Sequence, residues 1–130
     1  MAIGKQAFML SSPAFHMNGI IPETFTADDE NKSPPLRWDE PTAGTKQSVI
    51  VCHDPDAPRR DGFTHWVLYG IPTSTTSLNE GCPPDAFTPG VNGTDKLGYT
   101  GPAPPIGSGP HHYHFWLYAL DLDASDYKWG

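Results

Sequence analysis

Two short apolar runs predict the central strands of the fold. Val49 to Cys52 is a β-branched run of the length typical of a buried strand. Thr64 to Ile71 is β-branched and aromatic, and it ends at Pro72, which cannot continue a strand ladder. Side chains alternate across a strand, so the second run should have two faces. One face is predicted to contain His65, Val67, Tyr69 and Ile71, and the other Thr64, Trp66 and Leu68.

A third run follows a loop rich in glycine and proline. From His111 the chain predicts a long strand with one face formed by His111, Tyr113, Phe115, Leu117 and Ala119. The other face is formed by His112, His114, Trp116, Tyr118 and Leu120. An imidazole and a phenol should therefore lie side by side where this strand begins.

The remaining elements are weaker. We expect a short strand at Leu36–Trp38, a proline-interrupted strand at Gly19–Thr26, one helical turn at Ser74–Leu78 and a long loop at Asn79–Lys96. No window of the chain sustains a helical period of apolar residues. The prediction is a mainly β, sandwich-like pair of sheets with little helix, formed as one domain by residues 1–130.

Composition narrows the class of protein. The chain has 13 glycines and 15 prolines, which favours long loops, but four tryptophans and five tyrosines can supply the apolar burial of a folded core. A net charge of −7 disfavours nucleic acid as a partner. The chain shows no transmembrane run and no signal peptide, and Cys52 and Cys82 are too few for a disulfide scaffold. These features predict a cytoplasmic protein.

The loop between the first two strands is a candidate site. Asp54 to Pro58 contains two carboxylates and two prolines, and each proline fixes φ and makes the loop stiff. Asp54, leaving one strand, and His65, entering the next, could meet at one edge of the sheet. The alternative is turn chemistry, because Asp before Pro commonly starts a turn.

Four blocks of sequence stand in a specific order and spacing. They are Asp54–Pro58, His65–Val67, Gly101–Pro105 and Gly109–Tyr113, with Ser33–Trp38 as a fifth. Together they resemble the phosphatidylethanolamine-binding protein family, also called Raf kinase inhibitor-like proteins, in its bacterial and archaeal branch. The resemblance spans residues 15–123 and implies a β-sandwich of two sheets.

The resemblance also implies a small polar pocket that binds an oxyanion or a phosphorylated headgroup such as phosphorylethanolamine. The ligand-binding residues would be Asp54, Asp56, Pro58, His65, Ala103, Pro104, Pro105, His111 and Tyr113. It further implies a cis bond between Ala57 and Pro58, and a role in modulating or inhibiting a partner kinase or protease. No catalytic residue, cofactor or metal is predicted. His112 stands where the family usually has Arg.

Two other functions stay open. A hydrolase could use Asp54, His65 and His111 around water or a metal, although no Gly-x-Ser-x-Gly elbow is present. The chain could instead be a protein-interaction module whose pocket is no longer used. His112 and His114 share a face and could chelate a metal, but their spacing is more typical of exposed strand histidines.

The family pattern continues beyond the strand that ends at Asp121 into a helical segment and a final strand. We expect this C-terminal part to be missing, which would expose apolar surface around Trp116 and Tyr118. Large apolar patches seldom stay bare, so a homodimer or an aggregate is expected rather than a monomer.

His111 generates the first test. Replacing His111 by Ala removes one donor to the anion and should weaken binding of phosphorylethanolamine by about 1–3 kcal/mol, the range for hydrogen bonds to charged groups. Titration calorimetry on both proteins measures the difference. Equal affinities would remove His111 from the site.

Overall fold

The structure is a computed structural model that describes residues 10–16, 19–57, 62–82, 87–103 and 113–121. Within these residues the chain forms one 3-10 turn, Glu23–Phe25, and six strands. The strands are β1 (Leu36–Arg37), β2 (Gln47–Asp54), β3 (Phe63–Pro72), β4 (Ser77–Leu78), β5 (Thr88–Pro89) and β6 (His114–Leu120). The predicted mainly β fold is confirmed.

The strands form two antiparallel sheets. The larger sheet has the order β5-β3-β2-β6, and the smaller sheet pairs β1 with β4. Strand β2 lies between β3 and β6, and six of its eight residues are buried, so both of its faces are largely covered, as its nearly continuous apolar run indicates. The strand predicted at Val49–Cys52 is therefore the centre of the fold.

The core lies between the two sheets. From the larger sheet it receives Ile50, Cys52, Trp66, Leu68 and Ile71, and from the smaller sheet and its continuation Leu36, Trp38 and Leu78. All eight side chains are buried. The block Ser33–Trp38 therefore contributes to this core, and the buried Ser33 hydroxyl accepts a hydrogen bond from the Cys82 backbone at 2.9 Å.

The prediction that side chains alternate strictly between two faces along β3 is wrong at the C-terminal end of the strand. The pairing of β3 with β2 shifts by one residue between the pairs formed by Ser48 and Ile50. Gly70 lies in this bulge with φ of 74°, and its N–H donates to the buried Gln47 side chain at 2.9 Å. Ile71 therefore turns into the core, where it is fully buried, and leaves the face on which the sequence placed it.

From Tyr113 to Leu117 the exposure of strand β6 follows its predicted alternation, whereas Leu120, on the same predicted face as His114 and Trp116, is buried. Tyr113, Phe115 and Leu117 pack against the core, while His114 and Trp116 are exposed. The rings of His114 and Trp116 stack on the outer face, with centroids 6.0 Å apart. Trp116 is 47% exposed. The expected homodimer or aggregate stays a prediction.

Three weaker predictions are wrong. The segment Gly19–Thr26 contains a 3-10 turn where a strand was expected, and Pro22 directly precedes it. Residues Ser77–Leu78 form β4 rather than a helical turn, because Leu78 pairs with Leu36 and is buried against the core. Strand β5 lies inside the segment expected to be loop. Among the described residues, no helix is long and apolar enough to cross a membrane.

The Gly70 bulge generates a stability test. Replacing Gly70 by Ala should cost more than the roughly 1–2 kcal/mol of a left-handed backbone conformation, because the added methyl would also lie 3.2 Å from the Thr88 hydroxyl. The free energy of unfolding in urea measures the loss. Gly44→Ala is the matched control: its φ is also positive, at 92°, but no atom lies within 4 Å of the added methyl. Equal losses in the two variants would contradict the importance of the Thr88 contact.

Candidate functional site

A second bulge in β3 places His65. Cys52 pairs with Trp66, whereas the next residue of β2, His53, pairs with Thr64. Strand β3 therefore has one extra residue at this point, and bulges of this kind redirect a side chain. Strict alternation predicted that His65 and Trp66 lie on opposite faces of β3. Both side chains are nonetheless buried, with His65 5% exposed and Trp66 3% exposed.

The redirected ring of His65 lies among three side chains at one edge of the larger sheet. Its centroid is 4.7 Å from that of Phe63 and 5.4 Å from that of Tyr113. Asp54, which pairs with Phe63 across the strands, is 2% exposed and acts on the imidazole through its charge. We call Asp54, Phe63, His65 and Tyr113 the His65 cluster. It joins the end of β2 to the beginnings of β3 and β6.

Asp54 has a turn role as well as a place in this cluster. Its Oδ1 accepts a hydrogen bond from the Asp56 backbone N–H at 2.8 Å, which is the turn chemistry expected of Asp before Pro. Asp56 itself is exposed. The two interpretations of this loop therefore coexist: the turn fixes the carboxylate, and the buried carboxylate supplies negative charge to the cluster.

Thr100 determines the protonation pattern of His65. The Nδ1 atom of His65 lies 2.7 Å from the carbonyl oxygen of Thr100, and the Thr100 N–H donates to the carbonyl oxygen of His65 at 2.9 Å. A carbonyl oxygen can only accept, so Nδ1 must be the protonated nitrogen. In the neutral ring, Nε2 is therefore an acceptor.

Burial keeps this ring neutral. Loss of solvent lowers the pKa of His65 below its ordinary value, and the nearby His53 acts in the same direction. The Thr100 backbone, the Asp54 charge and the Gly101 backbone oppose the shift without reversing it. His65 can therefore donate to an anion from Nε2 only after that nitrogen takes up a proton.

Tyr113 is the donor that needs no added proton. Burial is the main cause that raises its pKa, to about 12, and the charge of Asp54 raises it further, with smaller contributions from Cys52 and Asp56. The phenol therefore stays protonated throughout the physiological range, and its O–H can donate to a bound oxygen.

The loop that supplies Thr100 is held tightly by its neighbours. The next residue, Gly101, is buried, and its N–H donates to the Asn31 side chain at 2.6 Å. A Cβ on Gly101 would lie 2.1 Å from the Phe25 carbonyl oxygen, so only glycine fits. Pro102 is buried after it, and Ala103 is exposed. Gly101 and Pro102, at the start of the Gly101–Pro105 block, are therefore packed tightly against their neighbours.

The predicted site residues fall into three groups. The structure brings Asp54, His65 and Tyr113 together, whereas Asp56 and Ala103 are exposed. Four lie outside the described residues: Pro58, Pro104, Pro105 and His111. The predicted cis bond at Pro58 falls outside them too. Sequence reasoning missed Phe63, whose signal was its position two residues before His65, and Thr100, which gave none.

Other chemistry finds little support in the described part of the chain. There, no group of three or more His, Cys, Asp or Glu side chains is arranged to hold a metal. His53 contacts the Thr64 hydroxyl through Nδ1 at 3.1 Å. The Cys52 thiol is buried, and burial raises its pKa well above the ordinary range, so it is not an available thiolate.

Comparison with known proteins decides the family. The family model described as phosphatidylethanolamine-binding protein matches residues 11–130. The chain belongs to this family. It is 46% identical over 117 residues to a UPF0098 protein of Methanothermobacter thermautotrophicus, covering 86% of this chain and 76% of that one. It is 40% identical over 109 residues to UPF0098 protein YbhB of Escherichia coli, covering 79% and 68%.

Solved structures agree with the fold. A phosphatidylethanolamine-binding protein homologue from Chlamydia trachomatis matches with a TM-score of 0.82 and 33% identity, over 90% of this chain and 77% of that one. Escherichia coli YbcL, described as a member of the mammalian family, matches with a TM-score of 0.83 and 28% identity, over 91% and 79%. The resemblance found in the sequence is thereby confirmed.

The charge of Asp54 generates a test within the cluster. Asp54→Asn should lower the pKa of both His65 and Tyr113, because the carboxylate stabilises an imidazolium and destabilises a phenolate. The amide oxygen can still accept the Asp56 N–H. Asp56→Asn is the control: its charge acts on Tyr113 alone, and weakly. NMR titration of labelled histidine and tyrosine reports both values. A His65 pKa that stays constant or rises in Asp54→Asn would contradict the expectation.

Proposed function

We propose that the His65 cluster binds a small oxyanion, the phosphate of a phosphorylated headgroup such as phosphorylethanolamine. The observation that carries this proposal is the position of the His65 ring: Nδ1 is held by the Thr100 carbonyl, and the ring lies 5.4 Å from that of Tyr113. Nε2 of His65 can thus carry a proton toward a ligand. The phenol of Tyr113 lies beside it and stays protonated, so its O–H can donate as well.

The charges near the cluster set a condition on the ligand. Asp54 and Asp56 are negative, and neutral His65 offers no positive charge. A bound phosphate therefore has two sources of compensation: a proton taken up by His65, or a cationic group of its own that faces Asp54. An imidazolium makes a charge-assisted hydrogen bond, roughly twice as strong as a neutral one. Proton uptake on binding is therefore expected for an anion that has no cationic group of its own.

Family membership supports the same ligand class. The family is described as phosphatidylethanolamine-binding, and the names of the UPF0098 relatives specify no ligand. Modulation of a kinase or a protease stays a prediction from the resemblance. The hydrolase alternative gains little from the described residues: the neutral Nε2 of His65 can accept a proton, but no group of three or more His, Cys, Asp or Glu side chains among those residues is arranged to hold a metal.

The pH dependence of binding tests the proposal. Affinity should be greatest below the pKa of free His65 and should fall as pH rises through the higher pKa of the complex, by up to about tenfold per pH unit. The uptake of one proton should appear in calorimetry as a dependence of the binding enthalpy on the buffer. Sulfate is the control anion, since it does not titrate in this range.

Two variants sharpen this experiment. His65→Gln retains a polar side chain but cannot take up the proton, so its sulfate affinity should be low and independent of pH. Phosphorylethanolamine is compared with inorganic phosphate, and tighter binding of the former should disappear in Asp54→Asn if the ammonium faces that carboxylate. A pH profile in His65→Gln identical to that of the unaltered protein would refute the role of His65.

A further inference from the structure

The side chain of Asn92 is buried in the loop that precedes Thr100. Asn92 is 4% exposed, and its amide group makes four hydrogen bonds. Oδ1 accepts from the Thr94 N–H at 2.8 Å and from the Thr94 hydroxyl at 2.6 Å. Nδ2 donates to the Gly98 carbonyl at 2.8 Å and to the Thr100 hydroxyl at 3.1 Å. A buried amide with all these partners is a rigid centre for the loop.

The backbone around Asn92 is fixed as well. The Asn92 N–H donates to the Lys96 carbonyl at 2.8 Å, and Val91 forms an isolated antiparallel bridge with Leu97. This small hairpin contacts the cluster directly, since a Cβ on Gly93 would lie 2.5 Å from the Phe63 ring. The loop is therefore both rigid and adjacent to the His65 cluster.

A short series of hydrogen bonds connects Asn92 to His65. Asn92 bonds the Thr100 side chain, and the Thr100 backbone bonds His65 at both its carbonyl oxygen and its ring. We propose that Asn92 is a positioning residue: it holds the Thr100 carbonyl against Nδ1 of His65 and so fixes the tautomer whose Nε2 receives the proton when an anion binds. Asn92 itself does not touch the ligand. This inference rests on the proposed function of the cluster.

The chemistry of the tautomer explains why such a residue is needed. A neutral imidazole can carry its proton on either nitrogen, and the hydrogen bond at one nitrogen selects the form. If the Thr100 carbonyl moved away, the proton could transfer to Nε2 and the ring would present a neutral donor. Binding of the anion would then no longer require proton uptake by His65. The affinity would therefore depend less on pH.

The test uses two threonines that each give one hydroxyl contact to the same amide. Thr100→Val removes one of the two acceptors of Nδ2, and the matched control Thr94→Val removes one of the two donors to Oδ1. Asn92→Ala removes all four hydrogen bonds of the amide. If Asn92→Ala fails to fold, Thr100→Val still tests the proposal. Nitrogen-15 NMR of the imidazole identifies the tautomer of His65, and calorimetry with inorganic phosphate at pH 6 and at about pH 7.5 measures binding, with the unaltered protein as the reference at each pH.

The expected result in Thr100→Val is a mixture of tautomers and a smaller loss of phosphate affinity between pH 6 and about pH 7.5 than in the unaltered protein, because a neutral Nε2–H donates without proton uptake. Thr94→Val should retain a single Nδ1-protonated form. If Thr100→Val keeps this form unchanged, or if both variants lose it equally, Asn92 does not position His65. If phosphate does not bind the unaltered protein, the proposed function fails while the tautomer measurement still decides the role of Asn92.

Discussion

The hydrogen bond from Nδ1 of His65 to the Thr100 carbonyl is the interaction on which the candidate site depends. At 2.7 Å, between a nearly buried ring and a backbone oxygen, it fixes the side chain's orientation, its tautomer and the nitrogen left for a ligand. The partner hydrogen bond from the Thr100 N–H prevents the two segments from sliding apart. This pair of contacts therefore decides which nitrogen of His65 is protonated in the neutral ring.

The site has unusual electrostatics for an anion pocket. Its buried carboxylate, Asp54, opposes an incoming phosphate, and its imidazole is kept neutral by the same burial that defines the site. The phenol of Tyr113 remains protonated for related reasons. The proposed binding of an anion would thus draw on protonation rather than on a fixed positive charge, which distinguishes this arrangement from an arginine-based phosphate site.

Hydrogen bonds from two asparagine side chains hold the loops that are rich in glycine and proline. Asn31, with φ of 54°, accepts the Gly101 N–H, and Asn92 holds the Gly98 carbonyl and the Thr100 hydroxyl. Asn31 and Asn92, which are far apart in sequence, thus both form hydrogen bonds with the short segment from Gly98 to Gly101. Such side chains supply the hydrogen bonds that irregular backbone cannot make with itself when it is buried. A chain with many prolines, which lack an N–H, has particular need of them.

The sequence by itself determined the fold class, the central strand Val49–Cys52, the alternation of Tyr113 to Leu117 and the family, because each depends on local periodicity or on short ordered motifs. It could not determine the phase of β3. Two bulges arise from pairing with β2, at His65 and beside Gly70, and each reverses the face of the residues that follow. The protonation of His65 was equally out of reach, since it depends on burial and on Thr100, 35 residues away. Only tertiary structure brings that carbonyl to the ring.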